Sequence, residues 1–156
     1  MLNWLPVPLH RAVLRLGHGA RKLWWRVAKP DLDGCSVIGL DQAGRVLLVR
    51  HSYGAGLWCL PGGGIGRSEA AEHAAAREWH EEISCDLDGL RALGVFEHRL
   101  HGARNRVHLF AGTIRGTPKA DGREIAEICL FARDALPDRR SRTVDERLAH
   151  LADGPA

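Results

Sequence analysis

The sequence predicts an α+β fold in one domain, preceded by a helical extension. Three observations carry this. Apolar-rich runs bounded by turn residues recur at 35–40, 45–51, 57–60, 90–98, 105–114 and 124–131, and read as strands. One long stretch among them, 68–83, has helical spacing. A last helix follows near the C-terminus, opened by the capping-box signature Thr143-Val144-Asp145-Glu146 and running through Leu151.

Residues 1–30 carry six basic residues, Arg11, Arg15, Arg21, Lys22, Arg26 and Lys29, and no acid. On a helical wheel Leu9, Val13, Leu16, Leu23 and Val27 share one side and the charges take the other. Gly17 and Gly19 each cost such a helix about 1 kcal/mol, so a break is expected between its halves. The plain reading is a helix that docks its apolar face on the core. A basic helix on an anionic membrane, a homodimer contact and a cover over an anionic substrate are the other readings.

Pro30 ends that segment. The first two strands flank the turn Asp41-Gln42-Ala43-Gly44, and a short strand from Leu57 leads into the glycine loop Leu60-Pro61-Gly62-Gly63-Gly64. Ser68 is the expected N-cap of the central helix, with Glu69 in its first turn suiting the helix dipole. Ala70, Ala71, Ala74 and Ala75 let another element approach that helix closely. A hairpin follows, then a loop over 115–122, then the strand that begins at Glu124.

Hydrophobic residues are 45% and charged residues 26%, ordinary for a globular domain. The net charge of +3 does not argue for nucleic acid. Cys35, Cys59, Cys85 and Cys129 form no CxxC pair, so neither a zinc site nor a disulfide framework is indicated. Free thiols fit a cytoplasmic setting. No apolar run approaches the length of a membrane span, and the N-terminus lacks the order of a signal peptide. The absence of a Gly-x4-Gly-Lys-Ser/Thr loop excludes a P-loop NTPase, and no HExxH pattern points to zinc protease chemistry.

The chemistry is concentrated in 63–85, GGIGRSEAAEHAAAREWHEEISC. Glu78 and Glu82 are i,i+4 and Glu78 and Glu81 are i,i+3, so one helix face carries all three carboxylates. Arg77, i,i+4 to Glu81, can hold part of this cluster. Clustered acids repel unless a cation joins them, and oxygen-only ligands suit Mg²⁺ or Mn²⁺.

This stretch resembles the Nudix box, Gly-x5-Glu-x7-Arg-Glu-U-x-Glu-Glu-x-Gly-U, in which U is bulky and apolar. Gly63, Glu69, Arg77, Glu78, Glu81 and Glu82 match it. At average residue usage, six such matches arise by chance roughly once in 10⁷ windows. Ser84 stands where the box ends in glycine, and Trp79 fills a U position usually held by Ile, Leu or Val. If the last position needs φ > 0, serine there costs about 1 kcal/mol.

The resemblance implies a Nudix-type α/β/α sandwich with mixed β-sheet over 31–156, the N-terminal amphipathic helix being an addition. It implies metal-dependent hydrolysis of a pyrophosphate bond in a nucleoside diphosphate linked to another moiety X. The metal ligands would be Glu78, Glu81, Glu82 and the carbonyl of Gly62. Glu78 would take the proton from the attacking water, or bind metal while another acid does so. Arg77 would orient the carboxylates, and Glu69 would hold the loop against the helix. One further acid from outside the box is expected, with Glu124 and Glu127 as the candidates. Arg50, Arg99 and Arg104 are candidate phosphate contacts, with surface solvation as the plain reading of each. The partner is a small nucleoside diphosphate derivative, and capped RNA stays open. The alternative function is a weakly catalytic module that senses or binds a nucleotide on the same fold. Such modules tend to lose box carboxylates, and this chain keeps them all.

Overall fold

The computed structural model describes residues 32–100 and 103–151, with the side chains of 98–103 outside the description. The helix expected over 1–30 therefore lies outside the described residues. The elements run β1 (Leu32–Leu40), β2 (Val46–His51), β3 (Trp58–Cys59), α1 (Ala71–Ile83), β4 (Asp86–Leu100), β5 (Ala103–Arg115), β6 (Ile125–Phe131) and α2 (Arg142–Leu148), closed by a 3₁₀ turn at Ala149–Leu151.

The six strands form one mixed sheet, in the order β3-β2-β1-β5-β4 with β6 on β2. Among the described strands only the β1–β5 pair is parallel, from Leu32 opposite Asn105 to Leu40 opposite Thr113. Each face of the sheet buries its own cluster, which makes the α/β/α sandwich. Cys35, Val37, Leu47, Val49, Phe110 and Ile125 pack under α1 with its Ala74, Ala75, Trp79 and Ile83. Ile38, Val46, Leu48, Leu109 and Ala111 pack on the other side with Val144 of α2. The alternation along β1 and β2 sends successive side chains to opposite faces, so both faces are covered and both strands read as continuous apolar runs.

The β1–β2 hairpin is joined at Leu40 and Val46 and then opens. The gap is filled by the chain that leads into the box. β3 pairs with β2 at Val49 and Arg50. The next residues pair with β1: the amide of Val37 donates to the Pro61 carbonyl and that of Cys35 to the Gly63 carbonyl, both at 2.9 Å. The glycine loop is thus seated in the sheet rather than draped over it.

Four expectations need correction. The central helix starts at Ala71, and its N-cap is Ala70 without a side-chain cap, so Ser68 does not cap it. Glu69 precedes the helix, and its carboxylate is bound instead by Arg77 and by the amide of Gly66. The last helix is capped by Ser141, whose hydroxyl accepts from the amide of Thr143, not by Thr143 itself. β4 begins at Asp86 rather than Leu90, since irregularities between Asp88 and Arg91 and between Ala92 and Gly94 break the period-2 pattern that reveals a strand.

Candidate active site

The site is built where the glycine loop meets α1. Gly62 has φ 143°, a region open to glycine, and a Cβ there would lie 2.3 Å from the Cys35 carbonyl oxygen. A Cβ on Gly63 would lie 2.4 Å from the Glu78 carboxylate. Both glycines are needed because backbone touches backbone at one and a carboxylate at the other.

Arg77 organises the acids. Its Nε and Nη2 donate to the two oxygens of Glu69 at 2.8 and 3.0 Å, a forked pair. Its Nη1 reaches Glu78 at 2.9 Å and Glu81 at 3.5 Å, and its Nη2 also donates to the Gly64 carbonyl at 3.1 Å. Glu69 in turn accepts from the Gly66 amide at 2.8 Å. One guanidinium therefore ties the loop to the helix and partly neutralises the cluster. The Glu69 carboxyl is drawn down to about 2, chiefly by its bonds from Arg77 and then from Gly66.

The acids differ in exposure. Glu82 is buried at 5% exposure, and its Oε2 accepts from the Gly62 amide at 3.2 Å. Burial pushes its carboxyl up to about 8, opposed by the Gly62 bond and reinforced by the charges of Glu78, Glu124 and Asp121. Glu78 is also raised by burial, against the pull of Arg77, with Glu81 and Glu124 adding to the rise. Glu81 stands at the rim with its side chain 60% exposed.

The two outside acids separate. Glu124 lies close enough for its charge to act on both Glu78 and Glu82. Glu127 sits opposite Arg50 in the β2–β6 register, on the α2 face of the sheet, and ion-pairs with Arg50 there. Arg50 also lies over the Trp58 ring, 5.5 Å from its centre, and Trp58 packs edge-on against Phe131. Arg104 forms a forked pair with Glu97 at 2.8 to 3.2 Å on the neighbouring strand. The side chain of Arg99 lies outside the described residues.

Asp121 is an acid the sequence reading missed. Its carboxylate accepts from the amides of Arg123, Glu124 and Ile125, and its own amide donates to the Glu82 carbonyl at 3.2 Å. It thereby anchors the loop that delivers Glu124. The available signal was the Asp121-Gly122 pair, a turn in which the aspartate satisfies the amides that follow it.

Among the described residues, no three His, Cys, Asp or Glu side chains are drawn together tightly enough to hold a metal ion as they stand. The donor chemistry nevertheless fits one. A buried carboxylate raised to about 8, with three more acids acting on it, is relieved by a divalent cation, and every side-chain donor is a hard oxygen. Among the described residues no helix is long and apolar enough to cross a membrane.

Known proteins share both the sequence and the architecture. A protein of Bacillus subtilis (strain 168), named provisionally as an 8-oxo-dGTP diphosphatase, is 35% identical over 106 residues, covering 67% of this chain and 69% of its own. An RNA pyrophosphohydrolase of Teredinibacter turnerae is 39% identical over 69 residues, 42% of this chain and 40% of its own length. The crystal structure of a MutT Nudix hydrolase from Burkholderia pseudomallei matches with a TM-score of 0.71 at 26% identity, covering 78% of this chain and 98% of that one. The model of the NUDIX domain family matches residues 32–151. Matched over three quarters of its length, and carrying the loop and acidic helix described above, the chain belongs to the Nudix family as a Nudix hydrolase.

Proposed function

We propose that the enzyme hydrolyses a phosphoric anhydride bond in a nucleoside diphosphate joined to another group, with Mg²⁺ or Mn²⁺ as cofactor. The observation that carries this is Glu82, a buried carboxylate held against the glycine loop and surrounded by further acids. Glu78, Glu81, Glu82 and the Gly62 carbonyl would hold the ion. Such an ion neutralises phosphate charge and makes water a better nucleophile at neutral pH.

The chain's own groups do the rest. Arg77 keeps Glu78 oriented and joins the loop to the helix through Glu69. Glu78, half-buried beside Gly63, is the group we assign to accept the proton of the attacking water. Glu124 is the outside acid of choice, since Glu127 is committed to Arg50 on the other face. The names of the relatives favour a nucleotide carrying a 5′ polyphosphate, free or at the end of an RNA.

The test is release of phosphate or nucleotide from a mixed panel of nucleoside triphosphates, nucleotide sugars, dinucleoside polyphosphates and 5′-triphosphorylated RNA. Hydrolysis should need Mg²⁺ or Mn²⁺ and stop in excess EDTA. Undiminished turnover in the chelator would refute the metal role.

A further inference from the structure

Arg147 of α2 reaches across the sheet on the face away from the carboxylates. Its Nη1 donates to the Ser36 hydroxyl at 3.0 Å, joining residues 111 apart in sequence. Ser36 is 2% exposed, and its hydroxyl lies among the apolar side chains of that face. Among the described residues no carboxylate lies within ion-pair distance of Arg147, and burial draws the pKa of its guanidinium down, against the more distant charge of Glu146. A half-buried cation held by a neutral hydroxyl is a costly way to pack a helix on a sheet, where an aliphatic side chain would suffice.

The other neighbours of Ser36 show what it supports. The residues on either side, Cys35 and Val37, donate the two backbone bonds that hold Gly63 and Pro61. Between these bonds lies Gly62, where a Cβ would come within 2.9 Å of the Ser36 Cα. Gly62 in turn donates its amide to Glu82. Hydrogen bonds join Arg147 to Ser36 and Gly62 to Glu82, and between them the bonds from Cys35 and Val37 hold Gly62 over the backbone of Ser36.

We propose that Arg147 is a positioning residue: by holding Ser36 it fixes the stretch of β1 on which Gly62 is seated, and so sets the spacing of the Gly62 carbonyl and the Glu82 carboxylate for a divalent ion. This rests on the metal role proposed above for that pair. Arg147 touches neither the ion nor the reacting atoms in this assignment. Its loss loosens the seat of the loop, and the metal senses that before the nucleotide does.

The experiment compares the full chain with Arg147→Met, Ser36→Ala, the double variant and Arg147→Lys. Three quantities are read: the Mg²⁺ concentration for half-maximal hydrolysis, the substrate KM at saturating Mg²⁺, and the Mg²⁺-induced rise in Tm without nucleotide. The first should increase about 10-fold in each single variant, the scale of losing an outer partner of a metal site. The double variant should be no worse than the singles, because both cut one path. Arg147→Lys, which keeps a donor, should recover part of the loss, and KM should stay near the parent value. A raised KM with unchanged Mg²⁺ dependence would overturn the proposal and make Arg147 a substrate contact. A lowered Tm with unchanged Mg²⁺ dependence would overturn it in favour of plain packing. The metal-induced rise is read without nucleotide, so it judges Arg147 even if no substrate in the panel is hydrolysed, and a parent showing no rise overturns the proposal too.

Discussion

The indole of Trp79 lies on Gly39: a Cβ built on that glycine would meet the ring at 2.1 Å. Trp79 is 1% exposed, and Gly39 belongs to the row of β1 that faces α1. The oversized box residue and the missing side chain opposite are one adjustment in two places. Gly39→Ala alone should destabilise by about 1–3 kcal/mol, the range for overpacking a core. Trp79→Leu alone should leave a void and cost about 3 kcal/mol. The two together should cost less than their sum, by about 1 kcal/mol or more, since each relieves the other. Denaturant unfolding of the four proteins measures this, and strict additivity would show that the contact does not govern the packing.

Glu82 should make metal-free stability depend on pH. Its folded carboxyl stands at about 8, above the ordinary value for the unfolded chain. The folded state therefore favours the protonated form. That contribution is complete below the unfolded pKa and is lost as pH rises towards about 8. Melting without metal should fall across this window, and Glu82→Gln should flatten the fall while melting at or above the parent. Adding Mg²⁺ should stabilise the parent more as pH rises, and the variant less at every pH. Turnover of Glu82→Gln should drop by about 10²- to 10⁴-fold, the scale of losing an electrostatic or general-base contribution. Parental turnover with parental metal response would leave the acidic helix as scaffold only.

Ser84 ends α1 in the left-handed region, at φ 57° and ψ 29°, with its amide on the His80 carbonyl at 2.9 Å. It is the non-glycine residue with positive φ among the described residues. Ser84→Gly should therefore stabilise by up to about 1 kcal/mol without changing turnover. A destabilised variant would mean that the serine makes a compensating contact.

The two outside acids give a paired test. Glu124→Gln should reduce both the Mg²⁺-induced rise in Tm and turnover, because its charge acts on Glu78 and Glu82. Glu127→Gln should leave both unchanged, since it loses only a surface pair with Arg50. The reverse pattern would exchange their roles.

Much of this was legible in the chain. The glycines marked where backbone comes close, and helical spacing placed Glu78 and Glu82 on one side; it did not show that Glu82 is buried against Gly62 while Glu81 stays at the rim. The separation of Glu124 from Glu127 was not legible, because both lie near β6: the register on β2 sets Glu127 opposite Arg50, while Glu124 precedes the strand and accepts from the Ser52 amide through its carbonyl. Ser68 misled because a capping residue type is only a local signal: the helix starts three residues later, and the Glu69 carboxylate serves Arg77 rather than a helix turn. Asp121 stayed hidden because its value comes from three amides after it and one carbonyl 39 residues before it.

The glycine loop fills the opening between β1 and β2, and this has a consequence for how the site breathes. A loop tethered only at its ends can lift away while the domain stays folded. Here the loop carries sheet hydrogen bonds to Cys35 and Val37, so lifting it means tearing the middle of the sheet. The amides of Cys35 and Val37 should exchange with solvent only on the timescale of global unfolding. The carbonyls and amides of 61–63 are thus held as firmly as the strand they lie on.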